Sequence, residues 1–174
     1  MNDRFAHCLK LDQIRDGERL ELVADESECG AIAARLDLDG LDSFQAHVTL
    51  ARKDDTIGAE GRILAALRQS CVVTGEPVPA HIDEAFSLLF VPEPHGSRSD
   101  EEVELGSADC DVVFHDGAVL DLGAALADTL ALSLDPYPRS AGATAALKEA
   151  GILTEAQASP FSVLAQLKKS GDAS

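Results

Sequence analysis

The stretch Cys71-Val-Val-Thr-Gly-Glu-Pro-Val-Pro-Ala-His81 holds the side chains best suited to chemistry in this sequence. A thiol precedes a turn and an imidazole follows it. Two chemistries fit those types: a thiolate nucleophile with histidine as its base, or part of a metal site. The nucleophile needs surroundings that favour thiolate, yet residues 76–135 carry 14 acids against one base, Arg98. Negative charge raises a thiol pKa and opposes attack. The metal needs three or four ligands, and Cys71 with Thr74 is half of a Cys-x-x-Cys. Four cysteines, Cys8, Cys29, Cys71 and Cys110, lie far apart and form no such pair. They read as reduced thiols, two or more of them buried. No metal, cofactor or catalytic residue is therefore expected.

Other acidic pairs fail as calcium loops. Such a loop needs glycine at position six and an acid at twelve. Counting from Asp37, those positions hold Asp42 and Val48. Asp109-Cys-Asp111 places Phe114 where glycine belongs. No phosphate loop, glycine-rich dinucleotide turn or Ser-His-Asp signature occurs. No small-molecule substrate is evident.

The elements that would carry these residues follow from periodicity. Phe5 to Leu11 and Arg19 to Val23 alternate as strands. Asp25-Glu-Ser-Glu28 has the form of a capping box opening a helix to about Leu36, with Cys29, Ile32 and Ala33 on one side. Phe44 to Arg52, Glu60 to Val73 and Val78 to Phe90 read as three successive strands, the last two joined by the turn Thr74–Pro77. His81, opposite Ile82, faces solvent. Pro92 to Glu102, rich in proline, glycine, serine and acids, reads as an insertion in this meander. Val103–Leu105 and Cys110–Phe114 are short strands, and His115-Asp-Gly-Ala118 is a turn. A helix from Asp121 to about Leu134 lines up Leu122, Leu126 and Leu130, with Leu132 alongside. Thr144 to Ala150 makes one or two helical turns.

Consecutive strands with short turns predict an α+β fold. The expectation is one strongly bent antiparallel sheet, or partial barrel, of about six or seven strands, packed by the helices at 25–36 and 121–134. Residues 1–138 would form this domain, and residues 139–174 a linker and C-terminal helical tail. In the tail, Ser159 caps, Pro160 takes the first helical position, and Phe161, Leu164 and Leu167 form a stripe that docks on the body or on a partner.

The chain has 174 residues and a formal charge of −17. Residues 1–75 carry −5, residues 76–135 carry −13 and residues 136–174 carry +1. An acidic middle repels phosphate backbones and attracts basic partners. The acids expected to meet such a partner are Glu93, Asp100, Glu101, Glu102 and Glu104. The alternative is direct nucleic-acid binding by Arg52, Lys53, Arg62 and Arg68 on neighbouring strands, with Lys168 and Lys169 on the tail. No run of 18 apolar residues exists, so no membrane role is expected. The start, Met-Asn-Asp-Arg-Phe-Ala-His-Cys, lacks an apolar signal core, and a cytoplasmic location is expected.

Three stretches together resemble one family. "CVVTGEPVPAHIDEAFSLLFVP", an acidic insertion, "DGAVLDLGAALADTLALSLDPYPR" and the closing "SPFSVLAQLKK" are similar to the YceD family, the large ribosomal RNA subunit accumulation proteins, of the alphaproteobacterial type. Their order and spacing carry the resemblance over roughly residues 40–170. It implies a bacterial, cytoplasmic, non-catalytic factor that supports accumulation of large-subunit (23S) rRNA. Its partners would be a basic ribosomal protein or rRNA-processing factor, with rRNA or pre-ribosomal particles as alternatives. In many relatives the turn carries a second cysteine three residues after the first; here that position is Thr74. A second cysteine cluster of the family has no counterpart between Asp135 and Ser174. The ligand set of a metal role is therefore missing here.

Overall fold

A computed structural model describes residues 7–93 and 111–151, and the structure reported below is that of these residues. The strands are β1 (Cys8–Lys10), β2 (Arg19–Val23), β3 (Gly40–Lys53), β4 (Thr56–Ser70), β5 (Pro77–Pro92), β6 (Asp111–His115) and β7 (Val119–Asp121); helix α1 (Glu26–Arg35) lies between β2 and β3, and α2 (Leu122–Leu132) and α3 (Ala143–Glu149) follow β7. A short 3-10 turn, Leu11–Gln13, follows β1. The chain divides into two compact units: Met1–Gln69 with Pro79–Pro136, and Ser70–Val78 with Tyr137–Ser174.

The fold is α+β, as the pattern predicts, with two sheets. One has five strands in the order β2-β3-β4-β5-β6, and the other pairs β1 with β7. β2 runs antiparallel to β3, and β3 to β4. Residues 71–76 join β4 to its neighbour β5, a connection short enough only for an antiparallel hairpin. The last pairing departs from the antiparallel expectation. β6 runs parallel to β5, with Leu88 opposite Asp111 and Pro92 opposite His115. A parallel neighbour needs a crossover of a dozen or more residues, and residues 93–110 supply that length. The segment expected as an insertion in an antiparallel meander thus separates two strands that run in the same direction, and the strand expected at Val103–Leu105 lies outside the described residues.

Period two fixes the buried face. Phe44, Ala46, Val48 and Leu50 on β3 are buried, as are Ile57, Ala59, Ile63, Ala65 and Leu67 on β4 and Phe86, Leu88 and Phe90 on β5. Leu41 also points inward, three residues before Phe44, because the register shifts between Leu41 and Ser43. The extra residue is Asp42, and a bulge of this kind turns a side chain out of the alternation. Onto this face pack Cys29, Ile32 and Ala33 of α1 and Leu122, Leu126 and Leu130 of α2, all in one apolar cluster. Leu132, expected beside that stripe, is exposed.

Local chemistry sets the element ends. The Asp25 carboxylate accepts from Glu28 N at 2.8 Å, and Glu28 Oε2 accepts from Asp25 N at 2.9 Å, so the capping box is complete. Asp25→Ala should cost about 1 kcal/mol in urea unfolding; an unchanged midpoint would show that α1 does not depend on this cap. At the other end of the domain, His115 is buried. Its Nδ1 accepts from Gly117 N at 3.0 Å, which leaves the Nε2 proton for the Asp55 carbonyl, also at 3.0 Å. The Asp116 carboxylate accepts from Ala118 N and Val119 N, closing the Asp-Gly turn, and these two donors hold its pKa below the usual carboxylate value.

Candidate functional site

Cys71 and Thr74 of the Cys71–His81 stretch form a small polar knot in the second unit. Cys71 lies just past β4 and is 3% exposed. Its Sγ accepts from Thr74 N at 3.4 Å and from Ser140 N at 3.2 Å. Around it, Cys71 N donates to Glu76 O, Gly75 N to Cys71 O and Val72 N to Pro138 O. The Thr74 hydroxyl meets Glu76 Oε2 and Ser140 Oγ, both at 3.1 Å. Gly75, at φ 71°, provides the left-handed residue the turn needs.

Burial pushes the Cys71 thiol up, but the amides and hydroxyls of Ser140 and Thr74 outweigh it and bring the pKa down to about 6. This reverses the expectation that local acids would raise it. Short-range donors aimed at the sulfur win over more distant, screened carboxylates. The thiolate so favoured is buried and occupied by two backbone donors, and His81 lies exposed on β5. Among the described residues, no group of three or more His, Cys, Asp or Glu could hold a metal ion. The arrangement can act as a staple, in which one sulfur joins the 71–76 turn to residues 138–140.

A pH dependence follows. The folded pKa, about 6, lies below the ordinary 9.0. The contribution of Cys71 is therefore complete above pH 9, and shrinks as pH falls until it is lost through about pH 6. Subtracting a Cys71→Ala variant should leave a melting temperature that rises from pH 6 to 9 in the native chain alone. Parallel slopes for the two proteins would show that the sulfur is not held as thiolate. The other described cysteines behave differently: Cys29 is buried, which raises its pKa, and Cys8 is exposed.

The expected basic surface is largely committed elsewhere. Arg52 Nη1 donates to the Leu11 and Ile14 carbonyls, and its backbone N donates to Asp16, so it clamps the 3-10 turn to β3. Arg62 pairs with Asp83 at 2.8 Å. Arg68 reaches both oxygens of Asp42, the bulged residue, at 2.8 Å. Lys53 is exposed at the β3–β4 turn. Arg19, which sequence reasoning did not single out, shares an open cleft of about 550 Å³ with Glu21, His47, Thr49 and Arg62. In β-sheet register Glu21 stands opposite His47 and His47 opposite Arg62. Acid and base alternate across the strands there, and no basic stripe forms. Lys168 and Lys169 lie outside the described residues.

Of the expected acidic contacts, Glu93 is exposed at the end of β5, and its backbone N donates to His115 O at 2.9 Å. Asp100, Glu101, Glu102 and Glu104 lie outside the described residues, as do the tail residues Phe161, Leu164 and Leu167. Between 76 and 93, and again between 111 and 135, the sequence holds no lysine or arginine. Ser140 is the functional neighbour that sequence reasoning missed; nothing in its local pattern links it to a cysteine 69 residues earlier.

The family model for YceD, described as large ribosomal RNA subunit accumulation protein, matches residues 59–168, more than half of the chain. The chain belongs to the YceD family. The matched region takes in nearly all of β4, then β5, the acidic crossover, β6, β7, α2, α3 and the stretch beyond them; β1 to β3 and α1 precede it. No curated protein and no solved structure matches the chain. Among the described residues no helix is long and apolar enough to cross a membrane.

Proposed function

We propose that this protein is a non-catalytic cytoplasmic factor in large-subunit ribosome assembly that binds a basic protein partner through its acidic surface. Family membership supports the link to large-subunit rRNA accumulation. The observation that favours a protein partner over rRNA is the engagement of the arginines. Arg52, Arg62 and Arg68 are tied to carbonyls or carboxylates, whereas Glu84 and Asp111 stand exposed with no lysine or arginine within ten residues of them in sequence. Ribosomal proteins and rRNA-processing factors carry the complementary charge. Exposed charges attract over about 10 Å at 0.1 M salt, and the attraction weakens as salt rises.

Pull-down from cell extract at low and raised salt tests this. The expected result is a bound fraction dominated by basic proteins that falls steeply as salt is raised. A bound fraction that is not basic, or that ignores salt, would sink the electrostatic account. Filter binding to a large-subunit rRNA fragment tests the other reading. Affinity tighter than micromolar at physiological salt, lost on Arg62→Glu and Arg68→Glu, would transfer the function to rRNA.

A further inference from the structure

The five-stranded sheet ends in two edges, β2 and β6. An edge strand presents unpaired backbone groups on which another strand can build, and folds usually blunt it with charge. β2 is blunted in this way, since Arg19 and Glu21 are exposed on it. β6, Asp111-Val-Val-Phe-His115, carries apolar residues in its interior instead.

The parallel pairing fixes which groups are free. His115 O accepts from Glu93 N at 2.9 Å, so residue 115 faces β5. Backbone direction alternates along a strand, so Asp111 and Val113 face β5 as well. The N–H and C=O groups of Val112 and Phe114 then point away from it. Among the described residues no strand pairs on that side. The side chains of these two residues stand opposite Leu89 and Val91 on β5. Phe114 is 59% exposed. The edge thus offers two rungs of backbone hydrogen bonding beside an apolar strip, which is what an added strand requires.

Charge selects the occupant. Glu93, Asp111 and Asp116 are exposed within or beside β6. From Asp111 to Asp135 the chain has five acids and no lysine or arginine. A second copy of a chain with charge −17 would bring like charge to this edge. An extended peptide segment rich in lysine or arginine brings the opposite charge and can complete the ladder.

We propose that β6 is a docking edge, on which a basic, extended segment of a partner protein adds as a sixth strand, anchored beside Phe114. This rests on the proposed binding of a basic partner and specifies its mode.

The probe is a short peptide of alternating lysine and valine, compared with the same peptide N-methylated at every backbone nitrogen, so that neither of its edges can donate. Methylation keeps the charge and removes the donors a ladder needs. Binding to the full chain is read by fluorescence anisotropy, and amide exchange is read residue by residue. The expected result is affinity at least about tenfold higher for the unmethylated peptide, roughly 1.4 kcal/mol, with slowed exchange at Val112 and Phe114. Equal, salt-sensitive affinity for both peptides would overturn strand addition and leave the acidic-surface reading standing. Protection appearing at β2, or self-association of the chain through β6, would also overturn it. If neither peptide binds, strand addition fails; if the pull-down fails too, both readings fail.

Discussion

Gly61→Ala should cost more than about 4 kcal/mol, a loss that marks a specific steric fault. Gly61 lies in β4, which is flanked by β3 and β5, and stands opposite Val48. A Cβ there would come within 1.9 Å of the His47 carbonyl oxygen, 2.9 Å of His47 C and 3.1 Å of Val48 Cα. All three are backbone atoms, so no side chain can swing aside. Relief requires opening the β3–β4 ladder, which runs from Gly40 opposite Arg68 to Lys53 opposite Thr56, over a face that includes Val48 and Ile63. Gly58→Ala is the matched control. Its Cβ would meet Ala51 at 3.8 Å, an ordinary contact, and its effect should stay within about 1 kcal/mol. Chemical denaturation of both variants checks the pair. If Gly61→Ala unfolds at the same midpoint as Gly58→Ala, the close approach of the two strands is not as described.

The second large effect is on association. Replacing Glu93, Asp100, Glu101, Glu102 and Glu104 by lysine takes the formal charge from −17 to −7. Capture of basic protein at low salt should fall by more than about tenfold, because each reversal removes one attraction and adds one repulsion. Glu93 contributes to the fold through its backbone N, and its side chain is exposed, so its replacement should change stability by about 0.5 kcal/mol or less. Undiminished capture by a folded variant would place the partner elsewhere.

Much of the fold is legible in the sequence, for physical reasons that also explain the misses. Strict alternation from Phe44 to Leu50 and from Phe86 to Phe90 reports one buried face, and the structure buries it. The capping box at Asp25 and the spacing of Leu122, Leu126 and Leu130 mark helices by local chemistry. Where alternation breaks, the reading stops short. Leu41 belongs to β3, but the bulge at Asp42 puts three residues between it and Phe44, which hides the strand's start. The parallel pairing of β6 is invisible because the alternation of Asp111 to His115 marks a strand without showing which way it runs against its neighbour.

The candidate site was less legible. Cys71 and Thr74 stand out by type and spacing, yet the sulfur's second donor comes from Ser140, which tertiary structure alone brings near. Its pKa was misjudged because net charge is readable in sequence and amide orientation is not. Arg52, Arg62 and Arg68 look like a basic strand surface until Asp42, Asp83 and the Leu11 carbonyl are placed beside them. Family membership links the chain to rRNA accumulation but leaves the means of action to be argued from surface chemistry.

The most direct test of that argument is the ratio of large- to small-subunit rRNA in cells that make only the five-lysine variant, at native protein level. The account predicts a ratio depressed to that of cells lacking the protein, while Arg62→Glu with Arg68→Glu restores the normal value. A normal ratio with the five-lysine variant, and a depressed one with the arginine variant, would contradict it.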